Sequence, residues 1–312
     1  MENIKVVFFG TPVFACAVLQ TLLDEHYDVI AAVSQPDKPV GRKHILEKTP
    51  VKLLAEKYGI PVIQPVKLRA ESSLVTDLEP DLIVTCAYGQ IIPDDILACP
   101  KYGCVNIHPS LLPRYRGGAP VHRAVWAGDA QTGVCLMEMV HRMDAGRVWA
   151  RTYVSIDPDD TTESLNVRLI DASVNLVREY LPAYIRGELK GEEQDESLVV
   201  IARNIAPEEE QVHFSAEDIQ NLYNHVRALI DWPVSYGIVD GKRIKFYRAG
   251  MEKGETGSCP GTILGFRDHA MTVACKGGVL KVYELQPEGK KKMTADAFAN
   301  GAGRSFIGKI FE

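Results

Sequence analysis

Ile4-Lys5-Val6-Val7-Phe8-Phe9-Gly10-Thr11-Pro12-Val13-Phe14-Ala15-Cys16-Ala17-Val18-Leu19-Gln20-Thr21-Leu22-Leu23-Asp24 is the stretch that sets the fold. Ile4–Phe9 is almost wholly apolar, as a strand buried on both faces requires. Gly10-Thr11-Pro12 breaks it, and a helical pattern then runs from Val13 to Asp24, with Thr11 placed as its N-cap and Pro12 at the first helical position. Working outward, Val29–Val33 reads as a second strand, and a polar loop follows from Ser34 to Thr49. Pro50 opens a helix through Tyr58, and Asp81–Cys86 and Cys104–His108 are further strands. Strand and helix alternating in this way predict an α/β domain with a doubly wound, mostly parallel, Rossmann-like sheet. Functional groups in such a sheet gather beyond the C-terminal strand ends. Thr-Pro after Gly10 replaces the later glycines of a dinucleotide fingerprint, so this turn does not read as a nucleotide site.

Asp159 to Tyr184 reads as one long helical stretch. Residues 186–210 then change character, with Gly187, Gly191, an acidic run and Pro207 before three glutamates; the apolar run Leu198–Ile201 inside them is expected to pack on one of the domains. One helix, Ala216–Ile230, leads into five short strand-like runs: Val234–Val239, Arg243–Tyr247, Thr262–Phe266, Met271–Cys275 and Val279–Leu285. Five short strands so closely spaced predict a small OB-like β-barrel. The expected division is a catalytic domain over 1–187, a linker over 188–207 and a C-terminal domain over 208–312.

The chain has 312 residues, 46% hydrophobic and 24% charged, which fits a soluble globular protein of two domains and excludes a disordered one. No stretch reaches the roughly 20 apolar residues of a membrane span. The N-terminus lacks the charged-then-apolar order of a signal peptide, so a cytoplasmic location is expected. Seven scattered cysteines without a CxxC pair read as reduced thiols, with no metal site. The net charge of −6 is unevenly placed. Residues 241–312 hold 13 Lys+Arg against 7 Asp+Glu, a net of +6, which leaves −12 on residues 1–240. A basic tail on an acidic body suggests a polyanionic partner, with a solvated charged surface as the equal alternative.

The chemistry lies in Cys104-Val105-Asn106-Ile107-His108-Pro109-Ser110-Leu111-Leu112-Pro113-Arg114-Tyr115-Arg116-Gly117-Gly118-Ala119-Pro120. Asn106 and His108 stand two apart on a strand, so both side chains project from one face at its end. An amide that donates to an oxygen gaining negative charge, beside an imidazole that exchanges a proton, suits attack on a carbonyl. Taken alone, the pair reads sooner as an Asn capping backbone and a His satisfied by a carbonyl.

The run from Asn106 to Ala119 resembles the signature N-[IV]-H-x-S-L-L-P-x-[YW]-[RK]-G of folate-dependent formyltransferases. Thr132-Gly133-Val134, leading through Glu138 and Met139 to Met143-Asp144-Ala145-Gly146, resembles the family's second segment. The resemblance implies Asp144 as third member of a catalytic trio with Asn106 and His108, and 10-formyltetrahydrofolate as formyl donor. It implies that Asn106 and His108 hold the oxyanion while Asp144 orients His108 or a water and relays the proton. Around the folate it implies Tyr88, Gly89, Gln90, Ile91 and Ile92, then Ser110, Leu111, Leu112 and Pro113, then Met137, Met139 and Val140. Core packing is the equal alternative for Ile91 and Ile92. Neither Ser110 nor any cysteine sits in a nucleophile-plus-base arrangement. Arg147 follows Gly146 where many tRNA-formylating relatives carry Asp.

Ser34-Gln35-Pro36-Asp37-Lys38-Pro39-Val40-Gly41-Arg42 is similar to the Q-P-D-[RK]-P-x-G-R loop of tRNA-formylating members. Gly261-Thr262-Ile263, Leu285 to Met293, and Pro233 after Trp232 resemble their C-terminal domain. This implies methionyl initiator tRNA as acceptor, met by Lys38, Arg42 and Lys43 on the loop. Lys242, Arg243, Lys245 and Arg248 on one hairpin, with Lys290, Lys291 and Lys292, would supply a basic face reading shape and phosphate. The protein is expected to act as a monomer, away from membranes. An amino-sugar formyltransferase and a noncatalytic RNA-binding protein stand as alternatives.

Overall fold

The computed structural model of the chain describes residues 4–40 and 45–312. Arg42 and Lys43 therefore lie outside the described residues. The chain divides into two compact units. The first comprises Met1–Pro120, Gln131–Ser155 and Asn166–Ala202; the second comprises Val121–Ala130, Ile156–Leu165 and Arg203–Glu312.

In the first unit the order is β1 (Lys5–Gly10), α1 (Val13–Asp24), β2 (Asp28–Val33), β3 (Lys38–Val40), β4 (Ile45–Glu47), α2 (Pro50–Lys57), β5 (Val62–Ile63), α3 (Ser73–Thr76), β6 (Leu82–Cys86), α4 (Asp94–Ala98) and β7 (Cys104–His108). After α5 (Pro120–Ala127) come β8 (Gln131–Glu138), β9 (Val148–Ser155) and α6 (Thr162–Ile185). Seven strands form one sheet in the order β5-β2-β1-β6-β7-β8-β9. The first five are parallel, and β8 and β9 extend the sheet antiparallel. Val6, Val7, Phe8 and Phe9 are fully buried, as a central strand covered on both faces demands. Each such side chain contributes roughly 1.5–3 kcal/mol of burial.

Two local expectations change. The Thr11 hydroxyl does not cap α1. It donates to the Tyr88 carbonyl at 2.8 Å, and Pro12 occupies the N-cap. Thr11 thereby ties the end of β1 to the loop after β6. The loop from Ser34 to Thr49 also carries structure, since β3 and β4 pair antiparallel with Lys38 opposite Glu47. Its base is pinned by a buried Ser34–Thr49 hydroxyl bond of 2.7 Å. Lys52 adds a second pin, reaching Asp37 and Gln64, each at 2.6 Å.

The segment expected to be a linker is held by the first unit through its backbone. Val148 and Glu192 exchange backbone bonds, Arg116 N–H donates to the Val200 carbonyl, and Ala202 N–H donates back to Arg116 at 2.7 Å. The sequence predicts that Leu198–Ile201 packs through apolar side chains, yet Leu198 and Ile201 are exposed. Main-chain pairing replaces that packing.

The second unit holds α7 (Ile219–Ala228), β10 (Tyr236–Val239), β11 (Lys242–Lys253), β12 (Ile263–Arg267), β13 (Ala270–Cys275), β14 (Gly278–Pro287), β15 (Met293–Thr294) and α8 (Ala295–Asn300). The sheet is antiparallel in the order β10-β11-β14-β13-β12, with β15 on β14. The last residues bridge its two edges. Ile263 N–H donates to the Lys309 carbonyl, Phe311 N–H to Gly261, and Glu312 N–H to the Ile238 carbonyl. This gives the barrel-like closure expected from five short strands. Phe214, Phe246 and Phe311 fill the interior, with the Phe214 and Phe311 rings stacked at 5.1 Å.

Residues before the C-terminal third also belong to this unit. Buried Arg227 on α7 donates to the carbonyls of Asp160 at 2.7 Å and Val125 at 3.3 Å. Thr162 donates to the Ala228 carbonyl, and Trp126 stacks on His225 at 3.9 Å. The units are thus interleaved along the chain, whereas the division read from sequence is sequential. Among the described residues no helix is long and apolar enough to cross a membrane.

Candidate active site

β6 and β7 run parallel with Thr85 beside Asn106. The Thr85 hydroxyl donates to Asn106 Oδ1 at 2.9 Å. That bond fixes the amide's orientation and leaves the Asn106 NH₂ group as a donor on a half-buried side chain. Two residues on, His108 is almost fully buried, and its Nε2 lies 3.0 Å from the Tyr115 carbonyl. A carbonyl only accepts, so Nε2 carries the proton and Nδ1 of the neutral ring keeps its lone pair. Nδ1 faces Asp144 Oδ2 at 3.9 Å, and the same oxygen accepts from Gly117 N–H at 2.8 Å. Asn106, His108 and Asp144 are thus brought together. The orienting bond on the imidazole comes from the Tyr115 carbonyl, where the family resemblance assigns that task to Asp144.

Residues 115–117 serve both partners, Tyr115 holding His108 and Gly117 holding Asp144. Tyr115 and Asp144 both adopt left-handed backbone conformations, at φ 64° and 50°. Gly117 sits at φ 122°, and a Cβ there would stand 2.6 Å from the Ala202 carbonyl oxygen, so only glycine fits. Ser110 is fully buried and donates to the Arg114 carbonyl at 2.8 Å, bracing the Pro-rich loop. Burial pushes the Cys135 thiol up to about 11, which keeps it protonated beside this strand. Arg147 pairs with exposed Glu193 at 2.6 Å.

The residues expected around a folate divide by exposure. Ile91 is 79% exposed and Val140 36% exposed, available to cover a flat ring. Met139 is half-buried, and Leu111 and Pro113 are partly exposed. Tyr88, Ile92, Leu112 and Met137 are buried in the core and offer backbone edges only. Gln90 is spent on structure, accepting from Leu68 N–H and donating to the Pro65 carbonyl. Tyr88 Oη and Gln35 Nε2 are buried without a protein partner, and Gln35 Nε2 would lie 3.7 Å from a Cβ on Gly89.

In the second unit, β11 alternates buried Ile244 and Phe246 with outward Arg243 and Lys245, Lys242 is exposed at its start, and a register shift after Phe246 turns Arg248 outward. Aromatic rings back these cations. Arg243 lies over Tyr236 at 4.5 Å and Arg248 over Tyr283 at 4.9 Å. Lys292 lies over Tyr247 and is paired with Glu284 at 3.0 Å, while Lys290 and Lys291 are exposed and form no ion pair among the described residues. A cleft of about 350 Å³ at Arg248 is lined also by Tyr223, Tyr247 and Tyr283. Lys38 is exposed on β3.

Sequence reasoning does not single out Thr85, the Tyr115 carbonyl, Gly117 N–H or Gln194. Tyr115 and Gly117 lie inside the quoted signature, but their roles are main-chain ones that side-chain chemistry does not announce. Thr85 in an apolar strand is the available signal. Gln194 has none.

The chain matches the family described as Formyl transferase over residues 3–181 and its C-terminal domain over residues 204–303. It is 44% identical to a methionyl-tRNA formyltransferase of Bacillus cytotoxicus, over 96% of either chain. It is 43% identical to that of Halalkalibacterium halodurans, over 96% of this chain and 95% of the relative. Solved structures share the fold. HypX from Aquifex aeolicus in complex with tetrahydrofolic acid matches with a TM-score of 0.65 at 19% identity, over 96% of this chain and 47% of that one. The sugar 3N-formyltransferase WlaRD matches with a TM-score of 0.67 at 17% identity, over 93% and 100%. On the near full-length relatives and the domain matches, the chain belongs to the family of methionyl-tRNA formyltransferases.

Proposed function

We propose that the protein transfers the formyl group of 10-formyltetrahydrofolate to the α-amine of methionyl initiator tRNA, as a cytoplasmic monomer with no metal in the reaction. The observation that carries this reading is the Asn106 amide. Its oxygen is taken by Thr85 and its NH₂ has no protein partner among the described residues, on the same strand face as His108, whose Nδ1 lies 3.9 Å from the Asp144 carboxylate.

The donor supplies an activated formyl group. Asn106 Nδ2 donates to the formyl oxygen as it gains charge while the amine adds, a contribution of about 3 kcal/mol for a well-placed donor. His108 takes the amine's proton at Nδ1, Nε2–H remaining on the Tyr115 carbonyl. Asp144 steadies the resulting imidazolium at 3.9 Å. The proton then passes to N10 of the leaving tetrahydrofolate as the old C–N bond breaks, so no covalent enzyme intermediate is needed. Asn106 is thus assigned to the oxyanion and His108 to the proton. Exposed Ile91 and Val140 support a folate-binding edge on the loops after β6 and β8.

The acceptor reading rests on relatives of this length and on the basic, tyrosine-backed face of the second unit, which suits stacking and phosphate binding. Arg42, Lys43 and Lys38 are assigned to the acceptor end. The test offers methionyl-tRNA and a nucleotide-linked amino sugar in parallel. Formylation of the tRNA alone, strongly reduced in Arg42→Ala and partly restored in Arg42→Lys, is expected. Formylation of the sugar alone would overturn the acceptor assignment.

A further inference from the structure

Gln194 lies between the two family-matched blocks, in a stretch expected to be a linker. Its side chain is 9% exposed and makes three bonds. Nε2 donates to the Asp144 carbonyl at 2.8 Å and to the Gly146 carbonyl at 2.7 Å. Oε1 accepts from Arg116 Nε at 2.9 Å. Arg116 is 2% exposed, and its guanidinium also reaches Glu196 at 2.9 Å, which Arg142 pairs as well. One amide therefore clamps both ends of the turn carrying Asp144 and joins it to the residue between Tyr115 and Gly117.

We propose that Gln194 is a positioning residue for formyl transfer, holding the Asp144–Gly146 turn in register with the His108 strand through its two carbonyl bonds. The proposal rests on the assignment of Asp144 to the reaction. Asp144 sits in a left-handed conformation, at φ 50°, a turn geometry that Asp adopts more readily than most residues. The buried carbonyl of Gly146 needs a donor, and Gln194 supplies it together with a second bond to the half-buried carbonyl of Asp144. Glu138 backbone packs against Gly146 from the other side with no room for a Cβ. Rotation of the turn would carry Asp144 Oδ2 away from Gly117 N–H and His108 Nδ1 together. A misplacement of about 1 Å at such a point lowers a rate by about 10²-fold.

Gln194→Glu separates this role from packing. The variant keeps side-chain size and the acceptor for Arg116, removes both N–H donors, and sets carboxylate oxygen against two carbonyls. Single-turnover transfer should slow by about 10- to 100-fold at saturating substrates, at a temperature where the variant is fully folded and with the donor Kd near wild type. In an Asp144→Asn background the same change should slow the rate by less than about 3-fold, since the two act through one interaction. Amide exchange at residues 145–147 and at Gly117 should quicken. A wild-type rate in Gln194→Glu, or a full multiplicative loss in the Asp144→Asn background, overturns the proposal, as does unchanged exchange. Gln194→Ala serves as the second variant, and a loss that only follows its unfolded fraction counts against the proposal equally. The exchange measurement needs no acceptor, so a wrong acceptor assignment would leave it intact.

Discussion

Asp144→Asn removes a charge while leaving its neighbourhood nearly unchanged. The amide oxygen of Asn still accepts from Gly117 N–H, now 2.8 Å from Asp144 Oδ2, so the turn keeps its tie to residues 115–117. What disappears is the carboxylate 3.9 Å from His108 Nδ1. At that separation and an effective dielectric of about 20, a full imidazolium–carboxylate pair is worth about 4 kcal/mol. That ceiling corresponds to about three orders of magnitude in rate. The proton is only partly on the ring in the transition state, and Asp144 is not fully shielded from solvent, so about 10²-fold is the expected loss. The assay is single-turnover formyl transfer at saturating donor, with the melting temperature and the donor Kd measured alongside. Both should stay near wild type. A rate within about 3-fold of wild type would refute the role of charge at Asp144, because among the described residues no other carboxylate pairs with His108.

Thr85→Val removes the hydroxyl that orients the Asn106 amide and frees it to flip; transfer should slow by about 10-fold without weaker folate binding, and an unchanged rate would mean Asn106 is held otherwise. Neutralising Lys290 and Lys291 should reduce the salt dependence of tRNA binding, measured as the slope of log K against log salt, by about 0.7–0.9 for each phosphate no longer neutralised. Lys292, paired with Glu284, should contribute less; equal slopes for all three lysines would contradict this. Burial lowers His225 to about 4 from its ordinary 6.5, so the stability it contributes is present above pH 6.5 and is lost as pH falls from there through 4. The effect amounts to about 3 kcal/mol, and His225→Gln should flatten the fall in melting temperature across that window. A wild-type profile already flat there would refute it.

The parallel sheet is legible in the sequence because strands buried on both faces are written as unbroken apolar runs, as in Val6 to Phe9 and Leu82 to Cys86. The antiparallel β8 and β9 are less legible. Gln131–Glu138 holds a glycine and leads into a turn, so it stands out as a motif more than as a strand. Thr11 misleads because a hydroxyl before a proline looks the same whether it caps its own helix or bonds a neighbouring loop seventy-seven residues away. The interleaving of the two units also lies beyond local pattern. Buried Arg227 bonds carbonyls of residues 125 and 160, and no periodicity announces such a partner.

At the site, Asn106 and His108 are readable from strand alternation, and Asp144 from its family segment. The groups that hold them are not. Tyr115 acts through its carbonyl and Gly117 through its N–H, and any residue type presents the same main chain. Gln194 lies fifty residues from the turn it clamps, in a stretch whose acidic composition reads as solvated linker. Side-chain chemistry in a sequence identifies reacting groups better than it identifies what keeps them in place.

Formyl transfer is tested most directly by mixing excess protein with 10-formyltetrahydrofolate and methionyl initiator tRNA, and following formylmethionyl-tRNA by rapid quench. The wild-type protein should produce it with one tetrahydrofolate released per formyl group. Asn106→Ala should bind the donor as tightly but transfer two or more orders of magnitude more slowly, in line with about 10²–10³ for one oxyanion donor. Near-normal turnover in Asn106→Ala, or no formylmethionine from the wild-type protein, would contradict the account.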